Sequence, residues 1–565
     1  MANLEFSFES RKTSLTRMRK EEFDFLIIGG GITGAATARD AASRGLSVAL
    51  VEERDFAWGT SSRSSKLIHG GLRYLENMEF HLVFEALAER ARLLKQSPLV
   101  RPLRFYMPLY KTDRHGRGLL GMGLWLYDFL SFFKTPGIHR FLSRKKILKA
   151  IPWLNEEGLK GSFSYFDASM WDDLITIETL RSANQMGAAI VNYTKALSPI
   201  KKENQIVGFT VRDLENPNSD PISVYAKKVI VCTGPWTDLV GETLSPGWKK
   251  WLTPSKGIHL VFDLKKLPVP GAVVMSNPKD GRITFVIPRP DLGSGILIVG
   301  TTDGVTNDDP AKTEINSADI DYLMDLLTIY FPKAHLQKED ILNAYVGVRP
   351  LVNPHLMKSD GNGVSLQKVS REHYIANGPH GSVIVAGGKY TTHRTMAEEI
   401  IDFALQDFKT EGTLCKSNTK APVNPKGLEE EILKAKEEAK NKGWFMPDSL
   451  WEHYGAESLD VARIHYNRIT LMDNPEDKSP EGFPMLGAQL RFAIRNHMVV
   501  HLEDFYLRRL PLFLSRKDAG LPFSEKLAEV WAEERGLSQF EAKKEVERLK
   551  IEIEKRREWM KRLIN

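Results

Sequence analysis

The sequence predicts a mixed α/β fold that opens on a Rossmann-like nucleotide-binding unit and ends in a helical domain. Asp24–Glu53 reads as a strand, a glycine turn, a helix and a second strand in immediate succession. From Phe23 to about Phe408, β-rich runs alternate with helical patterns and Gly/Pro punctuation, as in mixed α/β proteins. Beyond Gly427 the chain turns helical and charged, and near its end Val546, Leu549, Ile553 and Trp559 or Met560 recur at roughly helical spacing.

At 565 residues the chain exceeds the ~250–300 at which one hydrophobic core stops growing, so more than one domain is expected. Its 42% hydrophobic, 27% charged and 9% aromatic residues exclude collagen-like, low-complexity and wholly disordered classes. Lys and Arg number 78 against 72 Asp and Glu, leaving +6, too mild an excess for a nucleic-acid partner. Cys232 and Cys415 allow at most one disulfide and neither a thiolate zinc site nor an iron–sulfur cluster, so the reducing cytosol is the natural compartment.

Residues 1–22 carry Arg11, Lys12, Arg17, Arg19 and Lys20 without the apolar core of a signal peptide, and Glu5 and Glu9 argue against a transit peptide. They read as a flexible basic arm able to touch a membrane. In the unit that follows, Phe25–Ile28 is the apolar strand. Gly29, Gly31 and Gly34 form a GxGxxG turn, whose missing side chains let backbone approach a pyrophosphate and helix pack on strand. Ser47–Val51 is the second strand. Glu52 ends it, about 20 residues past the turn, placed to accept hydrogen bonds from the ribose hydroxyls of an adenosine.

Gly118–Phe133 is the longest apolar stretch, but it is shorter than the ~20 residues that span a bilayer and contains Asp128. It reads either as a buried or docking helix or as a surface that dips into lipid. Val229–Thr237 is a buried strand breaking at Gly234 into a Gly-Pro turn, and Ser382–Ile400 is a strand running through Gly387 and Gly388 into a helix. Two such returns suit a flavin dinucleotide, whose second half develops negative charge on reduction, or are simply two further strands of the sheet. Cys415–Gly427 reads as a linker, and no internal repeat is present.

Thr60–Glu76 (TSSRSSKLIHGGLRYLE) brings in a close resemblance to the FAD-dependent glycerol-3-phosphate dehydrogenases. WDD at Trp171–Asp173, TGPW at Thr233–Trp236, SKGIH at Ser255–His259, FVIPR and GTTD at Phe285–Arg289 and Gly300–Asp303, GVRPL at Gly347–Leu351, SREHYI at Ser370–Ile375, GGKYTT at Gly387–Thr392 and EDFYLRR at Glu503–Arg509 extend it. It spans about Phe23 to Ser515. The resemblance implies a glycine-oxidase-like fold in which the FAD-binding part (about residues 23–100, 160–235 and 345–408) is interleaved with an antiparallel-sheet substrate part (about 101–159 and 236–344). A linker (409–427) then leads to a C-terminal helical cap domain (428–565). It further implies FAD as cofactor, sn-glycerol 3-phosphate as substrate, membrane quinone as electron acceptor and attachment to the cytoplasmic face of a membrane, with a homodimer among the assemblies to test.

Oxidising the C2 hydroxyl of that substrate needs a base for its proton, flavin N5 for the hydride and cations for the phosphate. The matched blocks place Arg73, Arg349 and Arg371 on the phosphate side, where guanidinium forks suit a dianion. Gly70 and Gly71 before Arg73, and Val348 and Pro350 around Arg349, give these two tight apolar surroundings. The resemblance suggests His259 as the base, with an ordinary pKa of about 6.5 that suits proton acceptance near neutrality. Tyr74 could hydrogen-bond a substrate oxygen, and Lys389 could offset charge on reduced flavin or reach substrate. Thr60, Ser61, Ser64, Lys66, Leu67 and Thr391 join the glycines and Glu52 as cofactor contacts, while Asp303 and Asp173 organise turns.

No HExxH, EF-hand, Walker or Ser-His-Asp pattern occurs, so neither a metal nor a covalent nucleophile is expected; the C-terminal region lacks the calcium-binding pattern of the family's mitochondrial members, so the resemblance implies a bacterial-type enzyme. The alternatives are an alpha-glycerophosphate oxidase that reduces oxygen to hydrogen peroxide and, from a different class, an inactive flavoprotein serving as a binding subunit.

Overall fold

The structure, a computed structural model, describes residues 6–71, 79–113, 116–131, 136–353, 373–406, 416–468 and 483–564. Two sheets organise them. The first runs from edge to edge as His373–Asn377, Val383–Gly387, Ile222–Val231, Glu22–Ile28, Val48–Val51 and Ala189–Val191, with the hairpin Thr194–Lys202 and Gln205–Asp213 attached to Ile222–Val231. Its four central strands are parallel. Helices cover it, so Phe25, Leu26 and Ile27 are buried on both faces, which is why this strand reads as an unbroken apolar run rather than an alternating one. The helix Ile32–Ser43 lies against the helices Asp172–Gln185 and His393–Leu405 through buried Ala35, Ala38 and Ala41, small side chains that permit close approach.

The second sheet runs Gly304–Val305, Ser255–Asp263, Ile296–Gly300, Ile283–Arg289, Ala272–Ser276, Val100–Tyr110, Leu159–Met170 and Leu67–Ile68, with Ile341–Arg349 on Ser255–Asp263 and Arg140–Ser143 on Leu159–Met170. It is almost wholly antiparallel. Two boundaries differ from those the sequence suggests. Leu159–Met170 and the start of the segment from residue 345 belong to this sheet rather than to the nucleotide part, because each pairs along most of its length with Val100–Tyr110 or Ser255–Asp263. Apolar runs of similar length serve both sheets, so composition does not separate them.

The expected flexible arm is corrected from residue 6 onward. Phe8–Lys20 is a helix capped by Ser7, and its Leu15 and Met18 pack on the nucleotide sheet. Arg11 is buried, donating to Asn192 O at 3.0 Å and pairing with Asp213 at 2.5 Å, so this part of the basic composition is spent on internal contacts. The linker is also docked from Lys416 onward. The Arg39 guanidinium donates to the carbonyls of Thr419, Ala421 and Pro422, and Ser417 donates to Asp40 at 2.5 Å.

The C-terminal helices gather around Phe483, Leu490, Phe505, Trp531, Val546, Leu549 and Ile553. Trp559, in the last helix Glu558–Ile564, instead packs into the core under the second sheet. The cap is tied to the nucleotide region by a buried charge cluster. Asp55 accepts from Arg508 Nε at 2.5 Å and from Arg509 Nη1 and Nη2 at 2.7 and 2.8 Å, with Asp504 taking a second hydrogen of Arg508.

Candidate active site

A cavity of about 640 Å³ extends from the carboxyl ends of the central parallel strands to the second sheet, the place where α/β folds of this kind bind ligands. Its first end is the glycine turn. Gly29 has φ +112°, and a Cβ there would lie 2.5 Å from Cys232 O; a Cβ on Gly34 would lie 1.9 Å from Gly29 O. Neither position accepts a side chain, so the backbone stays bare where the helix begins. Gly31 caps that helix without a side chain, and Ile32 N–H donates to Ser61 Oγ at 2.9 Å. Glu52 accepts from Gly30 N–H at 2.7 Å and Arg54 N–H at 2.8 Å, and burial pushes its carboxyl up to about 7.

Of the residues singled out in the sequence, Gly29, Gly31, Glu52, Thr60, Ser61, Ser64, Leu67, Gly234, His259, Arg349, Gly387, Gly388, Lys389 and Thr391 line this cavity. Two others do not. Gly34 packs against the turn itself, and Lys66 is buried in an ion pair with Asp172, facing a small second cavity beneath the cap. Its block made it a candidate cofactor contact, but its ammonium is taken by the carboxylate of Asp172 from the helix Asp172–Gln185. Arg73, Tyr74 and Arg371 lie outside the described residues.

At the far end, His259 and Arg349 project from neighbouring antiparallel strands. His259 is 3% exposed, its Nε2 is 2.9 Å from Ser65 Oγ, and its ring stacks on Tyr345 at 4.6 Å. Burial first, then the charges of Arg349 and Lys66, hold its pKa well below 6.5, so the imidazole is neutral near pH 7 and free to accept a proton. Arg349 donates to Thr301 Oγ1 at 3.0 Å and Thr302 O at 3.2 Å, and to Ser255 Oγ and Asp303 Oδ1 at 3.3 Å each. Asp303 therefore braces the guanidinium as well as its own turn. Asp173 sits 4.0 Å from Lys66, its carboxyl pushed up to about 6 by burial against the pull of that cation.

Sequence reasoning missed Ser65, Tyr345 and the tryptophan pair Trp58 and Trp236, whose rings lie 5.9 Å apart in the cavity wall, with the Arg54 and Arg63 guanidiniums over Trp58. Trp236 and Ser65 stood inside quoted blocks without being singled out, and nothing local marks Trp58 or Tyr345. Two observations fit a dinucleotide here. Thr233 Oγ1 is buried beside the cavity without a partner among the described residues, and the space next to Gly234 is open. Together with the bare turn and Glu52, these provide a backbone cradle, a ribose acceptor and a spare hydroxyl for an FAD.

Comparison with known proteins agrees. The FAD-dependent oxidoreductase family matches residues 24–394, and the C-terminal domain of alpha-glycerophosphate oxidase matches residues 445–542. An aerobic glycerol-3-phosphate dehydrogenase of Staphylococcus saprophyticus is 34% identical over 95% of both chains. The glycerol-3-phosphate dehydrogenase of Bacillus halodurans, solved with FAD, superposes with a TM-score of 0.77 at 27% identity, covering 97% of this chain and 98% of that one. Glycine oxidase of Geobacillus kaustophilus shares the fold, with a TM-score of 0.50 at 17% identity over 71% of this chain and 99% of its own.

Proposed function

From its membership of the FAD-dependent oxidoreductases, among the aerobic glycerol-3-phosphate dehydrogenases, we propose that this chain oxidises sn-glycerol 3-phosphate to dihydroxyacetone phosphate with FAD as resident cofactor. What carries the reading is that one cavity joins a dinucleotide cradle to a neutral imidazole, His259, and a braced guanidinium, Arg349. Gly29, Gly31 and the helix they open would hold the pyrophosphate, Glu52 the ribose, and Gly387, Gly388, Lys389 and Thr391 the flavin end. Bound FAD supplies the acceptor for the C2 hydride. His259 takes the hydroxyl proton, and the Arg349 guanidinium offsets the phosphate charge. Titrating the purified protein with sn-glycerol 3-phosphate without oxygen should bleach its flavin absorption bands; bands that persist would refute the substrate.

Arg349→Ala is expected to raise KM for sn-glycerol 3-phosphate by about 10–150-fold, the worth of a charge-assisted contact of about 1.5–3 kcal/mol, with little change for glycerol. Steady-state kinetics on both substrates decide, and equal losses would show that the guanidinium supports the site without meeting phosphate.

The apolar run supports attachment to the inner face of the cell membrane. Over most of its length the run is the helix Arg117–Leu130, whose Leu119, Met122, Trp125 and Phe129 form one face and are 55–65% exposed, while Leu124 and Tyr127 are buried on the other. Exposed Phe80, Phe84 and Ile138 add to the apolar surface, and the nearby Arg140, Arg144, Lys145 and Lys146 are exposed cations suited to anionic headgroups. No helix among the described residues is long and apolar enough to cross a membrane. The protein is expected to sediment with anionic vesicles at low salt, and Trp125→Glu together with Phe129→Glu to abolish this with flavin reduction intact. Vesicle binding that survives the double change would move the contact elsewhere.

A surface that meets lipid favours a hydrophobic acceptor, so turnover in air should yield little peroxide and accelerate on addition of a short-chain quinone. Stoichiometric hydrogen peroxide with no response to quinone would establish the oxidase instead.

A further inference from the structure

Between Gly118 and Leu130 the helix that turns Leu119, Met122, Trp125 and Phe129 outward carries a single charged side chain, Asp128. Asp128 is buried, and its Oδ2 accepts twice from His139: from the ring Nδ1 at 2.7 Å and from the backbone N–H at 3.1 Å. A carboxylate at Nδ1 fixes how the imidazole is turned, with Nε2 directed away from it. Nε2 has no partner among the described residues, yet it is not sealed in and keeps contact with the outside. The ring's surroundings are aromatic. Trp125, itself 59% exposed, meets it edge-on at 4.9 Å, Phe163 lies 6.2 Å away, and the neighbouring Ile138 is exposed. The inner side of the same helix touches the wall of the main cavity. Tyr127 Oη accepts from Gly70 N–H at 2.9 Å, a Cβ on Gly70 would fall 2.6 Å from that oxygen, and the preceding residue, His69, lines the cavity. One helix, ~10–12 Å across with its side chains, thus separates the cavity wall from the outward flank.

A buried polar pair need contribute no more stability than apolar residues of the same volume; what this one adds is a directed hydrogen-bonding nitrogen on an apolar surface. We propose that His139 Nε2 is the hydrogen-bonding contact for a carbonyl of a quinone ring that enters from the membrane beside Trp125. A quinone suits the place because it joins an apolar body to two polar oxygens. Reoxidation moves two electrons from the reduced cofactor to the quinone, which takes up two protons as its two C=O groups become C–OH, while the cofactor releases its own protons to solvent. With Nε2 protonated, the ring donates to one carbonyl and gives up that proton; solvent replaces it and supplies the other. With Nε2 unprotonated, it accepts from a hydroxyl of the quinol product.

The inference rests on a membrane quinone as the electron acceptor. To test it, the holoenzyme is reduced with sn-glycerol 3-phosphate without oxygen and then mixed, in stopped flow, with a short-chain quinone or with ferricyanide, an oxidant that needs no hydrogen bond. His139→Leu should slow reoxidation by quinone about tenfold, the worth of one hydrogen bond, and leave reoxidation by ferricyanide, reduction by substrate and vesicle sedimentation unchanged. His139→Gln, whose amide donates from about the place of Nε2, should recover most of the quinone rate. Should the leucine variant lose its flavin, Asp128→Asn keeps the volume, loosens the hold on Nδ1 and should slow the quinone reaction alone. Wild-type reoxidation by quinone in His139→Leu, or an equal slowing with ferricyanide, overturns the proposal and leaves quinone as acceptor. A wild-type holoenzyme that quinone does not reoxidise overturns the acceptor reading with it.

Discussion

His259→Gln should leave the protein folded and loaded with FAD while slowing flavin reduction by sn-glycerol 3-phosphate about 10²–10⁴-fold, the usual worth of a general base. Glutamine keeps a polar side chain near Ser65, so the loss reports the missing proton acceptor rather than a hole in the sheet. In the wild type the depressed pKa of His259 keeps it unprotonated through neutrality, so the acid limb of the reduction rate should lie below pH 6.5 and vanish in the variant. Single-turnover reduction at the wild-type rate would remove His259 from the mechanism.

Asp55→Asn should have the largest effect on stability. Asp55 is fully buried and its carboxylate answers both Arg508 and Arg509; breaking such a cluster strands buried guanidiniums and costs about 3–5 kcal/mol. Because the cluster joins the loop after Glu52 to the cap, the expected result is earlier chemical unfolding together with easier loss of FAD. Burial opposes ionisation of Asp55, but Arg509 and Arg508 hold its carboxyl down at about 2. Its contribution is therefore fully present above the ordinary aspartate pKa of about 3.9 and is lost only as pH falls through about 2. Denaturant titrations at pH 5 and pH 8 should show the same deficit in the variant. An unchanged midpoint would mean that Asp504 alone suffices for these arginines.

The cradle was legible because its parts are adjacent in sequence: strand, turn, helix and Glu52 each carry a local signature, and the structure brings them to one cavity end. The far end was legible through the family blocks that hold His259 and Arg349. What escaped depends on partners far apart in the chain. Ser65 meets His259 and Asp55 meets Arg508 and Arg509 only once the topology is set, and no spacing announces either pair. The ion pair that holds Lys66 away from the main cavity was hidden for the same reason, since its partner Asp172 comes from a distant helix. The basic arm misled because a charged side chain is by default a solvated one, yet Arg11 is buried against the carbonyl of Asn192 and the carboxylate of Asp213.

The strand order of the first sheet also governs when the protein can be completed during synthesis. Glu22–Ile28 emerges from the ribosome first, but its neighbour Ile222–Val231 comes much later, and Val383–Gly387, which closes the next position, later still. At translation rates of about 5–20 residues per second, the opening strand waits roughly 20–70 s for the last of these. Through that interval part of the cluster around Phe25 and Ile27, namely Val383, Val385, Met396 and Ile400, has yet to be made. The unit most readily recognised in the sequence is therefore among the last to be finished, and a nascent chain stalled before Val383 would present an apolar sheet edge to chaperones rather than a nucleotide site.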